Sequence, residues 1–244
     1  MISVCIATYN GEKFIGDQIR SILPQLYDDD EIIVSDNNSS DKTINVINTI
    51  ADARIKVLTN HSIGIVPNFE NCLKHASGDI IFLCDQDDVW MNDKVRSAKE
   101  ILQNYDLVLS NGLITNETLK PTGPTIFDKS PPSLNLVGNI FKNSFTGCCM
   151  AFNGSVLNLA TPFPKGIAMH DWWIGIVALA FSRVYIDGTP RIFYRRHQSN
   201  HSSTSEKSTR PIRIAVKDRF VISYQISKLL IKSRKRVSKN IKSI

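Results

Sequence analysis

Ile80-Ile81-Phe82-Leu83-Cys84-Asp85-Gln86-Asp87-Asp88 is the stretch that decides the fold. Five consecutive apolar residues give way, without transition, to three carboxylates within four positions. A short unbroken apolar run bounded by polar residues reads as a strand buried on both faces, as in parallel sheets. Carboxylates crowded at its end repel one another unless a cation or hydrogen-bond donors compensate. Hard oxygen ligands suit Mg2+ or Mn2+, ions that commonly bridge protein carboxylates to substrate phosphates. A solvated turn ahead of a helix starting near Asn92 accounts for the same residues, and the sequence alone leaves both readings open.

The same punctuation recurs upstream. Ile2–Ala7 is an apolar, β-rich run that ends at Thr8-Tyr9-Asn10-Gly11, and Glu31–Ser35 is another that ends at Asp36-Asn37-Asn38-Ser39-Ser40-Asp41. Apolar residues recurring with helical period follow each, over residues 13–23 up to Pro24 and over Thr43–Ile50. Ile55–Leu58 reads as a third strand, Asn68–His75 as a helix, Lys94–Leu102 as another helix, and Leu107–Leu109 as a fifth strand. This alternation predicts an α/β fold with a mainly parallel central sheet flanked by helices. Ligands of such sheets bind beyond the carboxyl ends of the strands. The three polar clusters all fall at those ends.

After residue 110 the rhythm breaks. Pro121, Gly123, Pro124, Pro131, Pro132 and Gly138 interrupt 112–145, which reads as a long irregular excursion, and excursions of that length tend to be functional or mobile. Phe145–Asn153 reads as a strand returning to the core, Asp171–Phe181 as a helix, and Val184–Ile186 and Arg191–Tyr194 as strands. Residues 198–210 read as a Ser/Thr/Asn-rich linker. The organisation expected is one domain over 1–203, divided into 1–110 and 111–203, then linker and tail over 204–244.

Composition narrows the function. With 42% hydrophobic and 21% charged residues the 244-residue chain is globular rather than disordered. Five cysteines with no CxxC pair suggest neither a disulfide framework nor a zinc cluster, so a reducing cytoplasm is expected. No signal peptide is read at the N-terminus. The longest apolar run, Trp172 to Phe181, is half of the roughly 20 residues a membrane span needs. No P-loop or GxGxxG sequence is present, so phosphates would call on a metal rather than a glycine cradle. The formal charge of +6 divides into −5 over residues 1–206 and +11 over 207–244. Positive charge confined to a tail, without basic–aromatic interleaving in the body, argues against nucleic acid as a partner.

Two further clusters carry candidate chemistry. His170-Asp171-Trp172-Trp173 sets a carboxylate beside aromatic surface at a helix start. That suits a general base beside a stacked sugar, and equally a helix start followed by core tryptophans. Tyr194-Arg195-Arg196-His197 offers guanidinium and imidazole groups of the kind that complete a metal–diphosphate site. Asp36–Asp41 suits a contact to base or ribose, and equally the capping of the next helix.

Taken in order, these motifs resemble glycosyltransferase family 2, with its GT-A fold, and especially the bacterial members that build surface polysaccharides. Ala7-Thr8-Tyr9-Asn10-Gly11 resembles the family's nucleotide-binding opening, Asp36–Thr43 its D-D-x-S-x-D-x-T segment, and Asp85–Trp90 its D-x-D element. Thr146–Asn153 resembles the acceptor-side strand, His170-Asp171 stands at the E-D pair, and Tyr194–His197 resembles the closing Y-R-x-H. Two positions depart: Asn37 replaces an Asp that often contacts the base, and His170 replaces an acid.

The resemblance implies an inverting, metal-dependent hexosyl transfer from a nucleotide-diphosphate sugar, UDP-glucose, UDP-galactose or dTDP-rhamnose. The acceptor implied is a polyprenyl-diphosphate-linked saccharide of O-antigen or capsule synthesis. Asp171 would be the base. Thr8, Tyr9, Asn10, Asp36, Asn37, Asp85, Arg195 and Arg196 would bind the donor. His170, Trp172 and Trp173 would bind the acceptor, and Asp85, Asp87, Asp88 and His197 would hold Mn2+ or Mg2+. A module of the same fold that binds nucleotide or sugar without turnover is the alternative.

The tail reads as a helix from Pro211, with Ile222, Ile226, Leu229, Leu230, Val237, Ile241 and Ile244 on one apolar stripe between basic flanks. Such a helix either packs on the body or lies on an anionic leaflet. The enzyme reading favours the second, so the expectation is a cytoplasmic protein held peripherally at the inner face of the membrane through residues 211–244.

Overall fold

The computed structural model describes residues 1–197 and 211–241, with side chains described up to residue 233. The segment read as a linker, 198–210, lies outside the described residues, as do Ile244 and the side chains of Val237 and Ile241.

Three apolar runs form the centre of the sheet, β1 (Ile2–Thr8), β2 (Glu31–Asp36) and β4 (Ile80–Asp85). Helices cover both faces of these strands, so Val4, Ile6, Ile32, Val34, Phe82 and Leu83 are fully buried. Each such side chain contributes about 1.5–3 kcal/mol through burial. With β3 (Ile55–Thr59) they run β3-β2-β1-β4, all parallel, with Ala7 opposite both Ser35 and Asp85. This register brings the ends of β1, β2 and β4 to one edge, where the three polar clusters emerge. The intervening helices α1 (Ile15–Ile22), α2 (Thr43–Ile50) and α3 (Ile65–His75) bury Ile15, Ile19, Ile22, Ile47 and Phe69 against the sheet.

Beyond β4 the sheet is mixed rather than mainly parallel. The short β5 (Val89–Trp90) and α4 (Lys94–Ile101) lead to β6 (Leu107–Thr115), which runs six residues past the strand expected there. The excursion is structured: β7 (Pro121–Thr125) pairs antiparallel with β6, and α5 (Ile126–Lys129) and α6 (Leu136–Phe141) follow. The returning strand, β8 (Met150–Asn153), is shorter than expected because a 3-10 turn occupies Gly147–Cys149. It inserts antiparallel between β4 and β6. Helix α7 (Gly154–Ala160), unanticipated, joins it to α8 (His170–Phe181). The two strands expected after α8 are one, β9 (Val184–Arg195), parallel to β6 with register shifts where Asp187–Pro190 interrupts the pattern. Gly175 of α8 lies against the Phe145 ring, where a Cβ would sit 2.3 Å from a ring carbon.

Helix α9 (Ile212–Ile241) packs on α6 and α8. Ile222 and Ile226 are buried in this contact and Leu229 is partly so. Of the stripe expected to face a membrane, Ile222, Ile226 and Leu229 therefore face the body, which removes their apolar area from water, while Leu230 is exposed.

Candidate active site

The edge is knitted together by side chains. Gln86 reaches from the turn after β4 to the end of β1: its Oε1 accepts from Thr8 Oγ1 at 2.6 Å and from the Tyr9 N–H at 2.9 Å, and its Nε2 donates to the Tyr9 carbonyl at 3.2 Å. Asn10, in the left-handed region at φ 49°, accepts from the Ser40 N–H and donates its own N–H to Ser39 Oγ. Asp36 accepts from the Ser39 N–H and hydroxyl. Thr8 and Asp36 are buried as struts of these loops, whereas the Tyr9 ring is half exposed over the edge. Asn37 turns to the loop after β3, donating to the carbonyls of Asn60 and Ser62 and accepting from the N–H of Gly64, which sits at φ 117°.

The carboxylates divide. Asp85 and Asp88 offer oxygens within 4.8 Å of each other and of Cys148 Sγ. Burial, with the charges of Asp87 and Asp171 adding to it, pushes Asp85 up to about 7. Burial and the neighbouring Asp87 and Asp85 raise Asp88 well above the usual carboxylate range. Asp88 Oδ1 accepts the Arg195 N–H at 3.0 Å, while its buried Oδ2 has no hydrogen-bond partner among the described residues. Asp87 Oδ2 lies 2.9 Å from His197 Nε2. Acidic oxygens that oppose each other's ionisation, one of them unpartnered, are a donor set that a divalent cation relieves. The residues fit Mn2+ or Mg2+.

Arg195 and His197 at the end of β9 are held by α1 and the residue before it. Phe14 stacks near His197, with centroids 4.5 Å apart, and carries the Arg195 guanidinium 4.6 Å from its ring. Arg195 also donates to Asp17 Oδ2 at 3.2 Å and to the Glu117 carbonyl at 3.0 Å, and Glu117 is in turn paired with Lys13. The Arg196 N–H continues the ladder to the Thr115 carbonyl. Phe14, Asp17, Gln86 and Cys148 are the site residues that sequence reasoning missed. Their roles come from partners far away in the chain, so no local pattern marks them.

Asp171 lies in the first turn of α8, nearly buried, with Oδ1 accepting the Trp172 N–H at 2.6 Å. Burial raises it to about 6, against the pull of hydrogen bonds from Trp172, Gly147 and Asn143. Its aromatic neighbours are packed into the protein. Trp173 is 1% exposed and donates to the Ala160 carbonyl, and Trp172 is 7% exposed and donates to the Asn139 carbonyl of α6. His170 is 2% exposed, stacked on Phe69 at 3.8 Å, and neither ring nitrogen has a hydrogen-bond partner among the described residues. The three rings expected at the acceptor are thus packed against protein.

The family model described as Glycosyl transferase family 2 matches residues 3–158, more than half of the chain. A dTDP-rhamnosyl transferase of Shigella flexneri, RfbG, is 28% identical over 80% of this chain and 72% of its own length. WfaP of Escherichia coli, named a UDP-Glc:alpha-D-GlcNAc-diphosphoundecaprenol beta-1,3-glucosyltransferase, is 29% identical over 73% of this chain and 70% of its own. Among solved structures, TarS of S. aureus in complex with UDP-GlcNAc superposes with a TM-score of 0.70 at 18% identity. That match covers 91% of this chain and 66% of that one. At that identity the likeness is one of fold.

Proposed function

Since this chain belongs to glycosyltransferase family 2, we propose that it is an inverting, metal-dependent hexosyltransferase of O-antigen or capsule synthesis. The donor is a nucleotide-diphosphate sugar and the acceptor a hydroxyl of a polyprenyl-diphosphate-linked saccharide. The observation that carries the reading is the meeting of Asp85, Asp87 and Asp171, from the end of β4 and the start of α8, close enough that the charges of Asp87 and Asp171 add to burial in raising Asp85 to about 7.

Asp171 takes the proton of the attacking hydroxyl, and its carboxyl, raised to about 6, is still ionised at neutral pH and basic enough to do so. Asp85, Asp87 and Asp88, with His197, would hold Mn2+ or Mg2+, whose charge would neutralise the departing diphosphate. Asp88 also fixes the backbone of Arg195, and Arg195 and Arg196 would share the same anionic load. Tyr9 offers its exposed ring to the nucleobase, and Asn10, Asp36 and Asn37 shape the loops around it. The names of the relatives point to dTDP-rhamnose and UDP-glucose as donors to compare. Among the described residues no helix is long and apolar enough to cross a membrane. A basic tail on such a chain supports a cytoplasmic enzyme held at the inner face of the membrane.

A thermal-shift screen of UDP-glucose, UDP-galactose and dTDP-rhamnose with Mn2+ tests the reading. One donor should raise Tm and be hydrolysed slowly without acceptor, both effects vanishing in EDTA. Binding without hydrolysis or transfer would identify a module that has the fold and not the activity.

A further inference from the structure

Helix α9 is apolar on two faces. One carries Ile222, Ile226 and Leu229 into the body. Opposite it, at four-residue intervals, Val216, Phe220 and Tyr224 are 60%, 71% and 56% exposed, and Ile231 on the same side is 56% exposed. A helix on a water-facing surface normally carries polar residues there. Arg213, Lys217, Lys228 and Lys232 flank this second stripe and are exposed. The one acid of residues 207–244, Asp218, is buried.

Helix α6 adds to the patch. It touches α9, with Arg219 Nε donating to the Phe141 carbonyl at 3.0 Å. Val137 and Phe141 are about as exposed as the α9 residues, Leu134 just before the helix is exposed, and Lys142 follows it. Large apolar side chains clustered on an exposed surface mark an interaction site. Its fringe, cationic without an exposed acid on α9, is complementary to anionic lipid headgroups. α6 is also tied to the candidate base, because Trp172, next to Asp171, donates its indole N–H to the Asn139 carbonyl.

We propose that the outward faces of α6 and α9 together form the surface that lies on an anionic leaflet, seating Val137, Phe141, Val216 and Phe220 among the acyl chains. This rests on the reading above that the acceptor is lipid-linked. It replaces the stripe through Ile222 and Ile226, which the body occupies, and it extends the contact to a helix outside the tail. The surface then stands one hydrogen bond away from the residue that follows the base.

Co-sedimentation of the full chain with phosphatidylglycerol-containing and pure phosphatidylcholine vesicles tests the proposal. The comparison is with Val137→Ser/Phe141→Ser on α6, Val216→Ser/Phe220→Ser on α9, and Lys217→Glu/Lys228→Glu. The full chain should prefer anionic vesicles, each apolar pair should weaken partitioning about tenfold or more, and the charge reversal should abolish the lipid preference. Exposed positions leave Tm and donor binding unchanged. If the unaltered chain ignores anionic vesicles, the peripheral reading itself fails. If it binds and the α6 and α9 variants bind equally well, that reading survives and this surface is wrong. If the unaltered chain is a dimer without lipid and the same variants make it a monomer, the surface pairs copies of the chain and the lipid proposal is overturned.

Discussion

Phe14 and His197 lie ring against ring, centroids 4.5 Å apart, so the residue before α1 sets the position of an imidazole that faces Asp87 at 2.9 Å. The same phenyl ring carries the Arg195 guanidinium. Groups that orient ligands typically change metal affinity or activity 10–100-fold when removed. Phe14→Leu keeps most of the buried volume and should cost on the order of 1–2 kcal/mol of stability, less than Phe14→Ala. The folded Leu variant should bind Mn2+ about tenfold more weakly and lose about 10–100-fold in kcat/KM. Unchanged Mn2+ affinity in a folded Phe14→Leu protein would show that the ring packs without positioning anything.

Asp171 makes two pH predictions. As a base raised to about 6, it must lose its proton to act, so kcat/KM should rise through about pH 6 and level above it. Asp171→Asn should lower turnover by about 10²–10⁴-fold. Stability moves the other way. The folded state holds the Asp171 proton more tightly than the unfolded chain, so this group's stabilising contribution is present below about pH 4 and is lost as pH rises through 6. Asp171→Asn should therefore be more stable than the unaltered protein at pH 8, by on the order of 2–3 kcal/mol, and the gain should fade toward pH 4. Urea unfolding at both pH values checks the sign.

What the sequence made legible follows from which residues act locally. Val4 and Cys5, Ile32 and Ile33, and Phe82 and Leu83 point to opposite faces of their strands and are all fully buried, so the apolar runs containing them announced the parallel half of the sheet and the edge where the site lies. β9 was read as two strands because Asp187–Pro190 breaks the pattern, a signal that cannot distinguish a register shift from a loop. The excursion hid α6 because Pro and Gly around it mask six helical residues. Asp171 and the carboxylates after β4 were visible by residue type and position. Phe14 and Gln86 were not, since their partners, His197 and Tyr9, are brought to them only by the fold. Trp172 and Trp173 carry the same letters in a sugar platform and in a core. Burial decides between these roles, and the sequence does not contain it.

Gln86 joins the donor loop to the acidic turn through three hydrogen bonds to Thr8 and Tyr9. Gln86→Glu keeps the shape and the acceptor but cannot donate to the Tyr9 carbonyl, and it sets a fourth carboxylate beside Asp85 and Asp87. A lost hydrogen bond with an acceptor left facing it costs about 1–3 kcal/mol. Because the bond holds the loop carrying the exposed Tyr9 ring, the cost should fall on donor binding. Donor Kd should rise about tenfold or more, with a smaller change in kcat. Calorimetric titration with the donor found in the screen measures it, and a Kd matching that of the unaltered protein would sever the link between the two loops.

His170 provides the last prediction. Its ring is buried on Phe69 with both nitrogens unpartnered, and burial lowers it to about 3. It is therefore neutral in the folded state at any pH where the protein works. The unfolded chain takes up a proton near the ordinary value of about 6.5, so this residue's contribution is complete above 6.5 and is lost as pH falls toward 3. His170→Phe removes that sensitivity and replaces an unpartnered polar ring with an apolar one. The difference in unfolding free energy between variant and unaltered protein should grow in the variant's favour by on the order of 2–3 kcal/mol between pH 7.5 and 4.5. Any fixed packing offset appears equally at both pH values, and the titration of Asp171 is common to both proteins and cancels. Acceptor KM should be unchanged, because a ring this deep does not reach substrate. Two parallel stability curves would show that His170 titrates normally, and a tenfold rise in acceptor KM would return it to the acceptor site from which its burial removes it.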